Sequence, residues 1–397
     1  MNAMRARRLS TPLLVLLPLL LPVLLPACRE SDRQAPRRLV VYAAGPRGLA
    51  EALANSFTAE TGIPVDLFSA TTGQLMARLE AERHNRRADV ILLASALAAE
   101  HLAREGRLMA LQLESDAPAS PWDDPKGMYR ALGAAAVGIA LRDDGSARDL
   151  RRGLEARSDS ARHGAGIPGA GRLDLDGREE LDGQDELDAA SDLDWTAALC
   201  GDFAAEGGSI VMPSPIRSGT SADFVLAYLL ERGEAGWECF AEARRMGLEF
   251  AAANSQALAG LSAGTYRAII GAVDYLVLRE IDRGAPIRLH FPRSGAPVVP
   301  RPAAILTGTR RAEEARRFIA HCLSPAGQRL IAEARMIPAD ATLRAALDRP
   351  MPARELPLDL DLALERQVRI LRRFQYQIER PQTSRPAQRA PEEAARR

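Results

Sequence analysis

The sequence predicts an α/β protein in which parallel strands are covered by helices on both faces of the sheet. Two stretches of the chain alternate between short apolar runs and amphipathic segments, as βαβ units do. The chain has 397 residues, of which 47% are hydrophobic. Because a single core stops growing at about 250–300 residues, we expect two domains.

The first alternating stretch covers residues 39–106. Each predicted strand is followed by a helix whose apolar residues recur three and four positions apart, and Leu49, Leu53 and Phe57 show this spacing in the first helix. The predicted strands are 39–43, 63–68 and 89–93.

The second alternating stretch begins at Trp195. The apolar run 131–141 is interpreted as a strand that crosses into the second domain, and 287–300 as the segment that returns to the first. The strands predicted in between are 209–212, 248–252 and 268–273, and amphipathic helices are predicted at 313–322 and 328–334.

Residues 144–191 differ in composition from the rest of the chain. They are rich in Gly, Ser, Arg and Asp and poor in apolar residues, which predicts a disordered insertion. The aspartates do not follow the ligand order of an EF-hand, so no calcium site is predicted. The charged and proline-rich residues 380–397 are expected to form a flexible tail.

The first 27 residues have the pattern of a signal peptide. Arginines precede a short, proline-broken apolar stretch that ends at Ala27-Cys28. A small residue before a cysteine resembles the lipobox of bacterial lipoproteins, although Pro26 departs from the usual small residue, and this predicts lipidation of Cys28. An ordinary cleaved signal peptide with an incidental cysteine is the alternative. If Cys28 is lipidated, residues 28–37 would tether the protein to the membrane.

Three cysteines remain after Cys28. A Cys200–Cys239 disulfide is possible, but the spacing alone does not show it. Cys322 lies among apolar residues and is expected to be a buried thiol.

Charge and motifs exclude several classes of function. The net charge is zero, which removes the basic surface that nucleic-acid binding needs. No nucleophile elbow and no phosphate-binding loop of the Walker type occur, and the five histidines lack the pair spacing of metal sites. We therefore predict no catalytic residues, no cofactor and no metal.

Four predicted turns place small or hydroxylated residues directly before a helix. Helix N-termini present free N–H groups and a positive partial charge, so several of them converging on one cleft would bind an anion. Each turn taken alone is more often only a helix cap, and it is the occurrence of four at the carboxyl ends of predicted parallel strands that favours a binding site. The turns are 44–45, 69–73 (which contains Thr71), 218–221 and 254–255.

Three further residues are candidates for ligand contact. Arg217 lies within one of these turns and suits phosphate or carboxylate recognition, but it could instead be exposed or pair with Asp223. Asp274 and Tyr275 end a predicted strand, where they could meet a ligand amine or hydroxyl, or cap the loop.

Short motifs along residues 39–342 occur in an order that matches a known family. They are Glu60-Thr61-Gly62-Ile63-Pro64, Thr72-Gly73-Gln74-Leu75, Arg87-Ala88-Asp89-Val90, Pro213-Ser214-Pro215 and Leu323-Ser324-Pro325-Ala326-Gly327-Gln328. As a set they resemble the bacterial extracellular solute-binding proteins of ABC importers, in the branch that includes ferric-ion, phosphonate and phosphoglycerate binders.

The resemblance implies a type II periplasmic-binding fold, with two α/β lobes that close on a ligand between them. It places lobe 1 at 38–135 and 292–378 and lobe 2 at 136–291. The ligand positions that it implies are Ala44, Thr72, Ser218, Thr220 and Ser255, together with Arg217, Asp274 and Tyr275.

The expected function is an extracytoplasmic, monomeric lipoprotein that captures a small anionic or zwitterionic solute, similar to a phosphonate or phosphate ester. Its partner would be the ABC permease in the inner membrane. Ferric-ion binding, oxyanion binding and a sensor role for a two-component system are the alternatives. The ferric members of the family use adjacent tyrosines, whereas Tyr275 here follows Asp274.

Overall fold

The computed structural model describes residues 38–113, 118–143, 193–201 and 209–380. The predicted signal peptide, Cys28, the tether and the 144–191 insertion lie outside the described residues, as does the tail except for Arg380. The strands and helices below confirm the predicted α/β class.

The first lobe is built on parallel strands that alternate with helices. Strand β1 pairs with β2 on one side and β3 on the other, in parallel. The elements are β1 (Leu39–Ala43), α1 (Arg47–Thr61), β2 (Val65–Ser69), α2 (Thr72–Ala81), β3 (Val90–Leu92), α3 (Ala96–Arg104) and β4 (Leu108–Met109).

The second lobe repeats this arrangement. Strand β6 pairs in parallel with β7 and β8, and α5 bends at Gly233, whose φ of 58° is left-handed. The elements are α4 (Trp195–Cys200), β6 (Ile210–Pro213), α5 (Gly219–Arg245), β7 (Glu249–Ala251), α6 (Asn254–Ser262), β8 (Ala268–Val273), α7 (Asp274–Asp282) and β9 (Ile287–His290).

The lobes are joined through the long strand β5 (Tyr129–Arg142). Its first half pairs antiparallel with β10 (Val298–Leu306), and its second half pairs antiparallel with β8 and β9. A small residue makes the pairing with β9 possible, because a Cβ at Gly138 would lie 2.5 Å from the backbone oxygen of His290. The predicted crossing strand 131–141 is therefore confirmed.

The last long helix, α11 (Leu360–Phe374), packs against both lobes. It contributes Ala363, Ile370 and Phe374 to a hydrophobic core that contains Trp237 of the second lobe and Leu97 of the first. These residues form one apolar stripe, which contacts α3 of lobe 1 and α5 of lobe 2, so the predicted lobe 1 segment 292–378 ends in a helix that bridges the lobes. The last elements are α8 (Ala312–Leu323), α9 (Pro325–Glu333), β11 (Ile337–Pro338), α10 (Ala341–Ala345), α11 (Leu360–Phe374) and a π-helical turn (Gln375–Glu379).

The cysteines of the described residues lie in both lobes. Cys200 and Cys239 form a disulfide with a Cα–Cα distance of 4.8 Å, which resolves a pairing that spacing left open. Cys322 is fully buried in the first-lobe core, as predicted, and burial raises the pKa of its thiol.

Among the helices in the described ranges, none combines the length and the apolar character needed to cross a bilayer.

Candidate functional site

The lobes face each other across the carboxyl ends of their parallel strands, which is where open α/β sheets bind ligands. They are in direct contact there. The Gly73 N–H, at the start of α2, donates to the Arg217 carbonyl at 3.3 Å. A Cβ at Gly219, at the start of α5, would lie 2.8 Å from Thr72 Oγ1. The described arrangement is therefore a closed one.

Side chains tie the two lobes together at this cleft. Ser95 Oγ of the first lobe donates to Asp223 Oδ1 of the second at 2.7 Å. Thr220 Oγ1 donates to the Ala94 carbonyl at 3.0 Å. Arg301 on β10 joins this network through Nη1, which donates to the Ala94 carbonyl at 3.0 Å and to Thr220 Oγ1 at 2.8 Å.

The side chain of Asp223 lies at the N-terminus of α3. Its carboxylate is 2% exposed and accepts from Ser95 and from the backbone N–H of Ala96. Burial raises the pKa of Asp223 to about 7, and the hydrogen bonds and the Arg301 charge oppose this rise only in part. The alternative pairing of Asp223 with Arg217 is wrong, because the Arg217 side chain is exposed and Asp223 is buried against Ser95.

Two of the predicted hydroxyl residues act as helix caps. Thr71 forms a capping box with Gln74 at the start of α2. Ser218 Oγ accepts from the Ser221 N–H at the start of α5, and it also accepts from Asn254 Nδ2 at 3.1 Å. The capping interpretation therefore holds for both residues.

The other residues of the predicted turns differ in exposure. Thr72 is 6% exposed, and its hydroxyl has no hydrogen-bond partner within the described part of the chain. Ala44 is buried, and its N–H donates to the Leu92 carbonyl at 2.8 Å. Ser255 is exposed on the first turn of α6.

Asp274 has a structural environment rather than a ligand-facing one. Its carboxylate accepts from the backbone N–H groups of Ala136 at 2.7 Å and Tyr275 at 2.6 Å, and it forms an ion pair with Arg349. Both side chains of this pair are at most 1% exposed. The expectation that Asp274 meets a ligand amine is thus corrected, because its oxygens are already bonded.

Tyr275 is 4% exposed and lies beneath Arg301, whose guanidinium carbon is 5.5 Å from the centre of its ring. Burial raises the pKa of this phenol. The Tyr275 ring therefore packs against the arginine, and the raised pKa keeps the phenol protonated at neutral pH.

Several buried polar atoms at this edge of the sheets have no hydrogen-bond partner among the described residues. Such atoms are rare in folded proteins, because each costs about 1–3 kcal/mol, and they are free to bind a ligand. Those at the cleft are Ser69 Oγ, Thr72 Oγ1, Asn254 Oδ1 and the Nε and Nη2 atoms of Arg301.

Arg301 was missed by the sequence analysis. The signal was present, since a charged residue between two prolines interrupts the apolar strand Val298–Leu306. The anion-binding prediction rested on strand-to-helix turns, whereas Arg301 lies inside a strand. Within the described ranges, no group of three or more His, Cys, Asp or Glu side chains is placed to hold a metal ion.

Solved structures with the same fold come from several binding proteins. AfuA from Actinobacillus pleuropneumoniae, with fructose-6-phosphate bound, is 18% identical with a TM-score of 0.64, over 86% of this chain and 98% of that one. Iron-bound HitA from Pseudomonas aeruginosa is 20% identical with a TM-score of 0.63, over 85% and 99%. A periplasmic thiamin binding protein is 14% identical with a TM-score of 0.64, over 86% and 96%.

Sequence comparison gives the family directly. No curated protein matches the chain. The family model described as "Bacterial extracellular solute-binding protein" matches residues 39–334, which is most of the chain and almost the full extent of the resemblance predicted from its motifs. This chain is a member of the bacterial extracellular solute-binding protein family.

Proposed function

We propose that this protein captures a small anionic or zwitterionic solute, similar to a phosphonate or phosphate ester, and delivers it to the permease of an ABC importer without a catalytic step. The observation that carries the proposal is the set of unpartnered polar atoms at the cleft. Four of the five are hydrogen-bond donors, from Ser69, Thr72 and Arg301, and Asn254 Oδ1 is the acceptor. A donor-rich site with a fixed positive charge favours an oxyanion.

The helix ends at the cleft support the same ligand class. Helices α2 and α5 start against each other, so their positive ends lie close together. At α3 this positive end is met by the carboxylate of Asp223. A ligand anion would interact in the same way with the positive ends of α2 and α5. Its binding would therefore favour the closed arrangement.

The predicted site residues receive different roles in this proposal. Thr72 would face the ligand, with Ala44 and Ser255 at its edges. Thr220 would hold Arg301 in place, and Ser218 would hold Asn254. Arg217 is exposed, so we assign it to the rim, where it would attract anions. Thr71 and Tyr275 would support neighbouring groups.

A panel of ligands tests the proposed solute class by calorimetry and thermal shift. We expect 2-aminoethylphosphonate or glucose 6-phosphate to bind, and a ligand present at 100 times its Kd to add about 2.7 kcal/mol to the free energy of unfolding. Molybdate, ferric citrate and thiamin represent the other ligand classes. Tight binding of ferric ion without an anion, or binding of thiamin alone, would contradict an anionic solute.

A growth assay separates import from sensing. If the protein serves an importer, deleting its partner permease abolishes uptake of the bound solute. If deletion of this protein leaves uptake unchanged but stops gene expression from responding to the solute, the sensor role is the correct one.

The lipid anchor is tested at Cys28, which lies outside the described residues. In bacteria, Cys28→Ser should move the protein from the membrane fraction to the soluble fraction, because the acylated residue is lost. The matched control Cys322→Ala removes a buried thiol and should stay with the membrane. A Cys28→Ser protein that remains membrane-bound would show that the anchor is elsewhere.

A further inference from the structure

Arg301 lies at an irregularity in the pairing of β10 with β5, the strand that joins the lobes. In β10 it lies between Pro300 and Pro302, which have no N–H to contribute to the ladder, and the register with β5 shifts between these prolines. Two residues of β5, Leu132 and Gly133, lie opposite Arg301 at this point, so the extra residue of the bulge is in β5. Such bulges are common beside binding sites. Arg301 is 5% exposed, and its Nη1 bonds to Thr220 of the second lobe.

The guanidinium is only half satisfied. Nη1 bonds to Ala94 and Thr220, whereas Nε and Nη2 have no partner among the described residues. The carboxylate that interacts with it electrostatically, Asp223, is hydrogen-bonded to Ser95 instead. A buried cation without a bonded anion is unfavourable, so this edge of the guanidinium is suited to an anion from outside the protein.

A small cavity lies beside this residue. Its volume is about 40 Å³. Arg301 is the one charged residue of its lining, which is otherwise apolar and includes Pro46 before α1, Leu49, Leu132 and Met336. This is room for about two or three water molecules, or for one small oxyanion group, but not for a whole sugar phosphate. The cavity adjoins the start of α1, which has no side-chain cap and no acidic residue in its first turn. Its free N–H groups and positive end add to the attraction for an anion.

We propose that Arg301 is the residue that binds the charged group of the solute, through the Nε–Nη2 edge that grips a phosphate or a carboxylate in two hydrogen bonds. This inference rests on the proposed function of the cleft and adds to it a specificity-determining residue. The oxyanion group would contact this edge of the guanidinium, and the rest of the ligand would lie between the lobes.

The same side chain links binding to closure. Its Nη1 holds Thr220 of the second lobe and the Ala94 carbonyl of the first. A ligand anion on the other edge neutralises the guanidinium while these bonds are kept, so binding stabilises the closed lobes. Loss of the arginine therefore removes a ligand contact and a lobe contact together.

Binding by variants of the full-length mature protein tests this role. The probes are inorganic phosphate, glucose 6-phosphate and 2-aminoethylphosphonate for the phosphoryl class and succinate for the carboxylate class. For the probe that wild type binds, we expect Arg301→Gln to raise Kd about 100-fold or more, as for truncation of one partner of a buried charge pair. Arg301→Lys should raise it at least about tenfold, because an ammonium group cannot form the paired contact.

The matched control is Arg83→Gln, at the far end of α2, where the arginine is half exposed and lies 3.6 Å from Glu80. It should leave Kd unchanged. The melting temperature of each ligand-free variant shows whether it folds. If Arg301→Gln does not fold, the Kd of Arg301→Lys tests the role of Arg301, because lysine keeps the charge and most of the side-chain length.

The outcomes separate this inference from the proposed function. If wild type binds an anionic probe and Arg301→Lys and Arg301→Gln bind it equally well, the role of Arg301 is overturned and the anionic solute stands. If wild type binds none of the anionic probes, the proposed solute class fails and the inference fails with it. Binding of succinate alone assigns a carboxylate, and binding of the phosphoryl probes alone assigns a phosphate or phosphonate.

Discussion

Replacing Arg349 with methionine should lower the free energy of unfolding by about 3–5 kcal/mol at neutral pH. The guanidinium forms a buried ion pair with Asp274, and both side chains are at most 1% exposed. The variant leaves the Asp274 carboxylate buried with its two backbone N–H partners, from Ala136 and Tyr275, and no counter-charge. Urea denaturation of wild type and variant measures the difference.

An exposed arginine on the same segment provides the control. Arg354→Met should change stability by no more than about 0.5 kcal/mol. The double variant Arg349→Met with Asp274→Asn should recover part of the loss, because the unpaired carboxylate is removed along with its partner. If Arg349→Met is as stable as Arg354→Met, this ion pair does not hold the junction of β5 and α7.

Replacing Asp223 with asparagine should remove a decline in stability between about pH 4 and pH 7. The folded carboxyl has a pKa of about 7, whereas in the unfolded chain it titrates near its ordinary value of 3.8. Between these values the folded state binds more protons than the unfolded state, so a rise in pH lowers the free energy of unfolding of the wild type. Above pH 7 this contribution is constant.

The difference between a pKa of about 7 in the folded protein and 3.8 in the unfolded chain corresponds to at most about 4 kcal/mol. Asparagine keeps the shape of the side chain but has no proton to lose, so the variant should gain on wild type as the pH rises from 5 to 8. Unfolding by urea at pH 5, 6.5 and 8 measures this.

Asp348→Asn is the matched control, because this aspartate is exposed. Its stability should follow that of wild type at every pH. A difference between wild type and Asp223→Asn that stays the same from pH 5 to pH 8 would show that Asp223 is already ionised in the folded protein.

Local sequence patterns were sufficient for most of the fold. The alternation of apolar strands and amphipathic helices predicted both lobes, and the small, apolar run at 131–141 predicted the strand that crosses between them. The C-terminal helix was predicted in lobe 1, and its packing against the second lobe as well was not foreseen. Its apolar stripe shows that one face is buried but carries no information about which core it meets.

The sequence by itself determined the α/β class, the helix starts at the cleft and the family, because these depend on residues close together in the chain. Only the tertiary structure decided which polar groups are bonded within the protein. Asp274 is satisfied by Arg349, 75 residues away, and Arg301 bonds to Thr220, 81 residues away. Hydrogen bonding over such separations depends on the packing of the whole chain. For that reason a predicted ligand residue became a structural one, and an arginine in an apolar strand became the candidate for binding the solute.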